Sequence, residues 1–496
     1  MKNYLKIENP GVCPPEGFTL LGASNSRGSN DFIGKFGSGN KHGINVCLRN
    51  NLNPIIYSSN LKLEFFSQQE KFQSKFINRL FVRLSGKDES GKTINRTDDL
   101  NRAVEFGEED WTNVQLGLRE FVSNALDGSL YNSMIQENIK WCNDNNITND
   151  ARQNLPQNTY NALVSHLRTF NESNKYWESV NIEIVPENKV RAKSNTTRIF
   201  IPINDDVFNF FNYIDNWFLH FGNPQLLNKQ LLPKRDPKST AKIYRKGVFV
   251  REWNVNDVPS LFDYNIDELK VDECRTANDW ESKYYCAQSL GNTERHNIDK
   301  FIQSLSCGQI FWEHEFDSYA LIRNIKPQQL NVWNNAFLAF TNNKGVITKG
   351  EHHNAIQNKG YIPIKLKEGI YELLQNAGAK ITSQILSNDE LLNRTIEQPQ
   401  QPIIDSFNKV WNKLIELKLV DKDPPQLFQF TTHMDAGATT FGFQRNNEIY
   451  INSNIAGNSI HLNKVVLEEI AHYLTNALDE TRDLQDWAFL VAAKLL

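Results

Sequence analysis

The stretch Leu116-Gly-Leu-Arg-Glu-Phe-Val-Ser-Asn-Ala-Leu-Asp-Gly128 reads as a helix with two unlike faces. Glu120, Asn124 and Asp127 fall at i, i+4 and i+7 and so share one stripe. Leu118, Phe121, Val122 and Ala125 form the packing side. Oxygen-bearing side chains are costly to bury without partners, so the stripe is expected to line a polar cavity. A carboxylate, an amide oxygen and a second carboxylate suit a general base, a Mg²⁺ ligand and a polar hook. The plainer alternative is a surface helix with scattered polar residues.

Upstream lies Ile33-Gly-Lys-Phe-Gly-Ser-Gly-Asn-Lys-His-Gly-Ile44, with glycines at 34, 37, 39 and 43 and a helix start expected near Ile44. Glycines let backbone N–H groups approach a phosphate, and a following helix N-terminus adds its positive dipole end. Lys41 would add a point charge. A Gly/Ser loop with no ligand is the common alternative.

Composition sets the frame. A chain of 496 residues suggests about three domains, and 40% hydrophobic content with 30 Phe and 10 Trp is ample for buried cores. The net charge of −4 gives no composition-level case for nucleic acid or an anionic membrane. Six scattered cysteines without a Cys-x-x-Cys pair fit reduced core thiols in a cytoplasmic protein. The segment Met1–Glu8 lacks the apolar stretch of a signal peptide, and no uncharged apolar run reaches about 18 residues.

Along the chain, Tyr4–Ile7, Asn53–Tyr57, Leu61–Phe66, Asn78–Leu84, Val180–Val185 and Thr196–Pro202 read as strands. Asp206–Phe221 reads as one aromatic helix and Ile243–Val250 as a strand pair or bulged strand. Ala336–Phe340, Gly345–Thr348 and Tyr361–Lys365 are expected strands, and Glu351–Lys359 and Gly369–Ala377 helices, of a small α/β unit. Gln398–Pro402 reads as a linker.

Together these pieces resemble the Bergerat-fold ATP-binding superfamily of gyrase-type topoisomerases, ninety-kilodalton heat-shock chaperones, histidine kinases and MutL. Glu120-x-x-x-Asn124-Ala-x-Asp127 resembles its N box. Leu21-Gly-Ala-Ser-Asn-Ser-Arg27 with Ile33–Lys41 resembles its lid and second glycine box, and Thr196–Pro202 the strand whose Thr touches the adenine site. Glu8-Asn-Pro-Gly-Val12 is a weaker match to the first glycine box, normally Asp-x-Gly-x-Gly. Here both glycine boxes precede the N box, the reverse of the family's order, which implies a circular permutation. The usual adenine-binding Asp is also missing, so Glu8, another carboxylate or a different contact would serve.

The resemblance implies an α+β, two-layer ATP-binding sandwich in which Glu120 activates water and Asn124 ligates Mg²⁺. Asp127 and Thr197 would lie near the base, with Glu8, Asn9, Gly11, Ser24 and Gly34 also at the nucleotide. Gly37, Ser38, Gly39, Asn40, Lys41 and His42 would cradle the phosphates. It also implies an ATPase that closes as a homodimer. Lys246 is a candidate for the γ-phosphate from a transducer-like region. The expected division is 1–225 for the ATP-binding domain, 226–322 transducer-like, 323–397 the small α/β unit and 403–496 a zincin-like tail.

In that tail, Glu468-Glu-Ile-Ala-His472 resembles the zincin His-Glu-x-x-His helix with its first His replaced. Glu468, His472 and Asp479 could hold zinc with Glu469 as base, whereas the lost His points to a structural remnant. His433 with Asp435 is too isolated to assign. The permuted order with this tail is similar to phage and bacterial conflict proteins of the phage rIIA type. The rival functions are a metallopeptidase and a nucleotide-sensing scaffold without turnover.

Overall fold

The computed structural model describes residues 2–20, 32–34, 38–88, 90–105, 111, 113–148, 152, 155–253, 258–272, 274–350, 352–386, 394–432, 440–477 and 481–496. It is a mixed α+β protein whose chain forms two compact units, 1–293 with 310–324, and 294–309 with 325–496. The first unit takes in the stretch expected for ATP binding and most of 226–322, whose residues 294–309 fall in the second unit.

Alternating apolar residues build the main sheet of the first unit. Its strands are β1 (Asn3–Pro10), β2 (Ile55–Ser58), β3 (Leu61–Phe72), β4 (Lys75–Lys87), β5 (Thr93–Ala103), β6 (Asn181–Pro186) and β7 (Thr196–Pro202). They run in the order β5-β4-β3-β2-β7-β1-β6, antiparallel throughout. Successive side chains of β1 point to opposite faces. Leu5 and Ile7 join the large core with Ile56, Leu63, Ile199 and Ile201. Tyr4 joins a smaller cluster with Val185 and Phe200 on the other face.

The helices α1 (Glu16–Thr19), α2 (Gly39–Arg49), α3 (Val114–Asp144) and α4 (Gln157–Ser173) follow in chain order. α3 packs its buried Leu118, Phe121, Val122, Ala125 and Leu126 into the large core. The Asn113 side chain accepts the Leu116 N–H at 3.0 Å and caps the first turn. α2 crosses α3 where two glycines meet. A Cβ on Gly117 would lie 3.2 Å from Gly43 Cα, and one on Gly43 would lie 2.9 Å from the Phe121 ring. The glycines at 39 and 43, expected in a loop, therefore belong to a helix, and α2 starts five residues before Ile44.

Two other expectations change. Asp206–Phe221 is three short helices, Asp205–Asn212, Ile214–Trp217 and Leu219–Gly222. Ala336–Phe340, expected as a strand, closes the helix Pro327–Phe340, because Trp333, Ala336 and Phe337 form a buried stripe at helical spacing.

The first unit also carries β8 (Leu231–Pro233), β9 (Ala241–Arg245), β10 (Val248–Trp253) and β11 (Phe262–Asn265), ordered β10-β9-β11-β8. The second unit holds the parallel pair β12 (Gly345–Thr348) and β13 (Ile362–Lys365). It also holds the sheet β14 (Arg394–Glu397), β15 (Gln426–Thr432), β17 (Glu448–Asn452), β16 (Gly442–Arg445), in that order. The helices Gln401–Glu416 and Ser459–Thr475 pack through Phe407, Trp411, Val466 and Ile470 in one core. The first begins inside the expected linker. Among the described residues no helix is long and apolar enough to cross a membrane.

Candidate functional site

A cavity of about 410 Å³ opens between the core-facing side of the sheet and α3. That is within the size range of small-ligand sites. Its walls come from the end of β1 and the following turn (Asn9, Gly11, Cys13), from Gly34, from the start of α2 (Gly39, Asn40, Lys41) and from β7 (Thr197). α3 contributes Asn124, Asp127, Gly128, Tyr131, Asn132 and Ile135. At 1.5 Å per residue, Asn124 to Asn132 spans about 12 Å along the helix. The cavity has two unlike ends along that line.

The first end is built for an anion. It holds the opening turn of the 11-residue helix α2, whose early N–H groups and dipole favour negative charge. Lys41 lines the cavity and is 2% exposed. Burial pulls its ammonium down to about 8, the neighbouring Cys13 partly opposing. Asn124 Nδ2 donates to Asn40 Oδ1 at 2.9 Å and to the Glu120 carbonyl at 2.8 Å. Both amide hydrogens are thereby used, which leaves the Asn124 oxygen as the end able to meet a cation. Further along α3 the wall turns apolar with Tyr131 and Ile135, and the Phe32 and Tyr131 ring centroids lie 6.3 Å apart; Phe18 and Ile199 add apolar wall elsewhere.

No family model matches the chain, and neither curated proteins nor solved structures give a match.

The cavity brings together Asn9, Gly11, Gly34, Gly39, Asn40, Lys41, Asn124, Asp127 and Thr197 from the expected set. Glu120 is placed differently. Its carboxylate is buried behind the α2 N-terminus, where a Cβ on Gly39 would lie 2.6 Å from Oε2. Arg275 grips it, Nε to Oε1 at 2.6 Å and Nη2 to Oε2 at 3.0 Å, and Arg119 Nε adds a contact at 3.3 Å. Burial alone would raise this carboxyl, but the guanidinium groups of Arg275 and Arg119 outweigh it and hold it below the usual carboxylate range. A carboxylate engaged at both oxygens and so depressed is a poor proton acceptor. The expected general base is withdrawn in this arrangement.

Asp127 is also engaged. The Ile33 and Gly34 N–H groups donate to its two oxygens, each at 2.7 Å, so it pins the chain at the cavity edge. Burial pushes its carboxyl up to about 6 although these N–H groups pull the other way.

Glu8 points to the opposite face of the sheet because it is one strand position from Asn9. There it meets Lys193 at 2.5 Å, Arg198 at 2.9 Å and Lys6 at 3.2 Å, and it does not reach the cavity. His42 turns into the core and stacks on Trp111 at 4.9 Å. Ser38 is buried just before α2, and its Oγ has no hydrogen-bond partner among the described residues. Lys246 sits in the β9–β10 turn at φ 51° with its N–H on Asp267 Oδ1 at 3.1 Å; it does not line the cavity, but its ammonium is near enough to pull the Asp127 carboxyl down. Ser24, Gly37, Asp479, His433 and Asp435 lie outside the described residues.

In the second unit, Glu468 is exposed and Glu469 buried on the helix Ser459–Thr475. His472 Nδ1 lies 2.8 Å from the Ala477 carbonyl oxygen. Among the described residues no three His, Cys, Asp or Glu side chains come together as a metal set.

Sequence reasoning missed Arg275 and the apolar end. Tyr131 and Ile135 continue the Asp127 stripe at i+4 and i+8, a signal present in the sequence. Arg275 is 155 positions from Glu120 and carries no local signal.

Proposed function

We propose that the first unit binds ATP with Mg²⁺ in this cavity, as a permuted member of the Bergerat-fold superfamily. The observation that carries it is a single cavity lined from four separate segments, each of which carries the resemblance. These are Asn9–Gly11, Gly34 with Gly39–Lys41, Asn124–Asp127, and Thr197. The α2 N-terminus and Lys41 suit the phosphates, Asn124 suits the metal ion, and the apolar end suits a base. The resident metal would neutralise phosphate charge; the residues themselves bind and orient the nucleotide. Calorimetry with Mg²⁺ and a non-hydrolysable ATP analogue is expected to give one site per chain. Affinity should fall at least about tenfold in Lys41→Met, since removing a buried charge partner costs more than about 1.4 kcal/mol. No heat of binding in the unmodified protein would end the proposal.

The withdrawal of Glu120 favours a second reading for the same site, a nucleotide sensor with little turnover. In the hydrolytic reading Glu120 must leave Arg275 before it can activate water. ATP closure of a homodimer and a role in phage–bacterium conflict rest on the resemblance alone. The zincin-like reading of the tail finds no support in the described geometry of Glu468 and His472.

A further inference from the structure

β5 is the outermost strand of the main sheet, and among the described residues it pairs with β4 alone. It runs for 11 residues without a proline. One row of its backbone N–H and C=O groups therefore points away from the sheet, a template for another strand. Ile94, Arg96 and Asp98 stand opposite Gly86, Leu84 and Val82 of β4, so they share the core-facing side. Asn95, Thr97 and Asp99 stand opposite Ser85, Arg83 and Phe81 on the other side.

Charged residues on an edge ordinarily keep strands apart. Those of β5 do so in some registers and attract in one. A second copy of β5 can run antiparallel about a two-fold axis through Thr97. Arg96 then meets the partner's Asp98, Asn95 the partner's Asp99, Thr97 the partner's Thr97, and Ile94 the partner's Leu100. Opposite charges, an amide with a carboxylate, paired threonines and an apolar pair are favourable cross-strand neighbours. Moving the axis one residue either way sets Arg96 or Asp98 against its own copy, and like charges oppose each other. Arg96 and Asp98 are bonded to each other, Nε to Oδ2 at 2.9 Å, yet remain 63% and 38% exposed. Ile94 and Leu100 reach the large core only in part, and a partner strand would complete their cover. The β4–β5 register is regular from Thr93 to Asp99, which takes in every paired residue but Leu100.

We infer that β5 is a self-docking edge: two copies of the chain join their main sheets through antiparallel β5 strands about Thr97, as an isologous dimer. No cavity-lining residue takes part, so the contact is independent of the nucleotide reading.

The test is sedimentation velocity on the full chain without nucleotide. The unmodified protein is expected at twice the chain mass. Asp98→Arg and Arg96→Asp each set like charges opposite at both symmetric positions, and each should weaken the dimer at least about tenfold. Mixed in equal amounts, the two variants regain opposite charges, and a one-to-one dimer should return. The doubly exchanged chain, Arg96→Asp with Asp98→Arg, should dimerise like the unmodified protein. A monomer at every concentration of the unmodified protein overturns the proposal. So does a dimer that neither single exchange weakens, or a mixture that stays monomeric. Directly opposed residues lie about 4.5–5.5 Å apart at Cα, within disulfide reach. Thr97→Cys, oxidised with copper phenanthroline in air, should therefore link two copies through position 97, as identified by peptide mass. Should a single exchange fail to fold, the doubly exchanged chain and this cross-link decide, and absence of the link overturns the proposal.

Discussion

Glu120 and Arg275 form a buried ion pair in which neither partner has water to fall back on. Removing one side of such a pair costs about 3–5 kcal/mol, because the other charge is left in a poor medium. Arg275→Met is therefore expected to lower unfolding stability by that order in urea denaturation. It should also let the Glu120 carboxyl rise, with Arg119 alone left to hold it down. If Arg275 withholds the base, ATP turnover per bound nucleotide rises in this variant and vanishes again in Arg275→Met/Glu120→Gln. A fall in turnover would instead make Arg275 part of the hydrolytic machinery.

Lys41 supplies a pH signature at the same scale. Its ammonium is held near 8 in the fold against an ordinary value of 10.5, with burial the main cause. A depressed value favours the neutral amine. The Lys41 contribution to stability is fully present above 10.5 and is lost as pH falls through about 8. A bound polyphosphate reverses this preference by stabilising the cation. Binding at pH 8 is expected to take up about half a proton at Lys41, and almost none at pH 6.5, where the amine is already charged. Calorimetry in buffers of different ionisation heat measures the uptake. Its persistence in Lys41→Met would assign the proton to another group.

At the scale of elements, the crossing of α2 over α3 is set by backbone contact at Gly43 and Gly117. Gly117→Val would force the helices apart or distort them, at a cost of about 1–3 kcal/mol. The lost stability should appear in denaturant unfolding, and ligand affinity should fall with it, since α2 carries one end of the cavity. Unchanged stability would show that the crossing tolerates bulk. Helices and strands with one apolar face could be read from the sequence. β1, β3, β4, β6 and β7 each alternate, and α3 shows its stripe. β5 could not, because Thr-Ile-Asn-Arg-Thr-Asp-Asp-Leu-Asn-Arg-Ala is an edge strand with little to bury. The glycine-rich start of α2 misled for another reason. Gly39 and Gly43 look like loop residues, but here tight packing against Glu120 and Phe121 excludes a side chain. The cavity-lining residues could be anticipated from their pattern, whereas the grip of Arg275 on Glu120 arises only when distant segments meet.

For the molecule as a whole, the chain order of the main sheet matters as much as its shape. β1 is an interior strand, flanked on both sides by β7 and β6. Lys6 faces Glu183, 177 positions later in the chain. At a synthesis rate of 5–20 residues per second, β1 waits roughly 10–35 s for its neighbours. Throughout that time Leu5 and Ile7 have no β6 or β7 beside them, and both edges of the strand are open to wrong pairings. Until then Asn3–Pro10 can be shielded only by non-native contacts, a burden that a strand order following the chain would not impose.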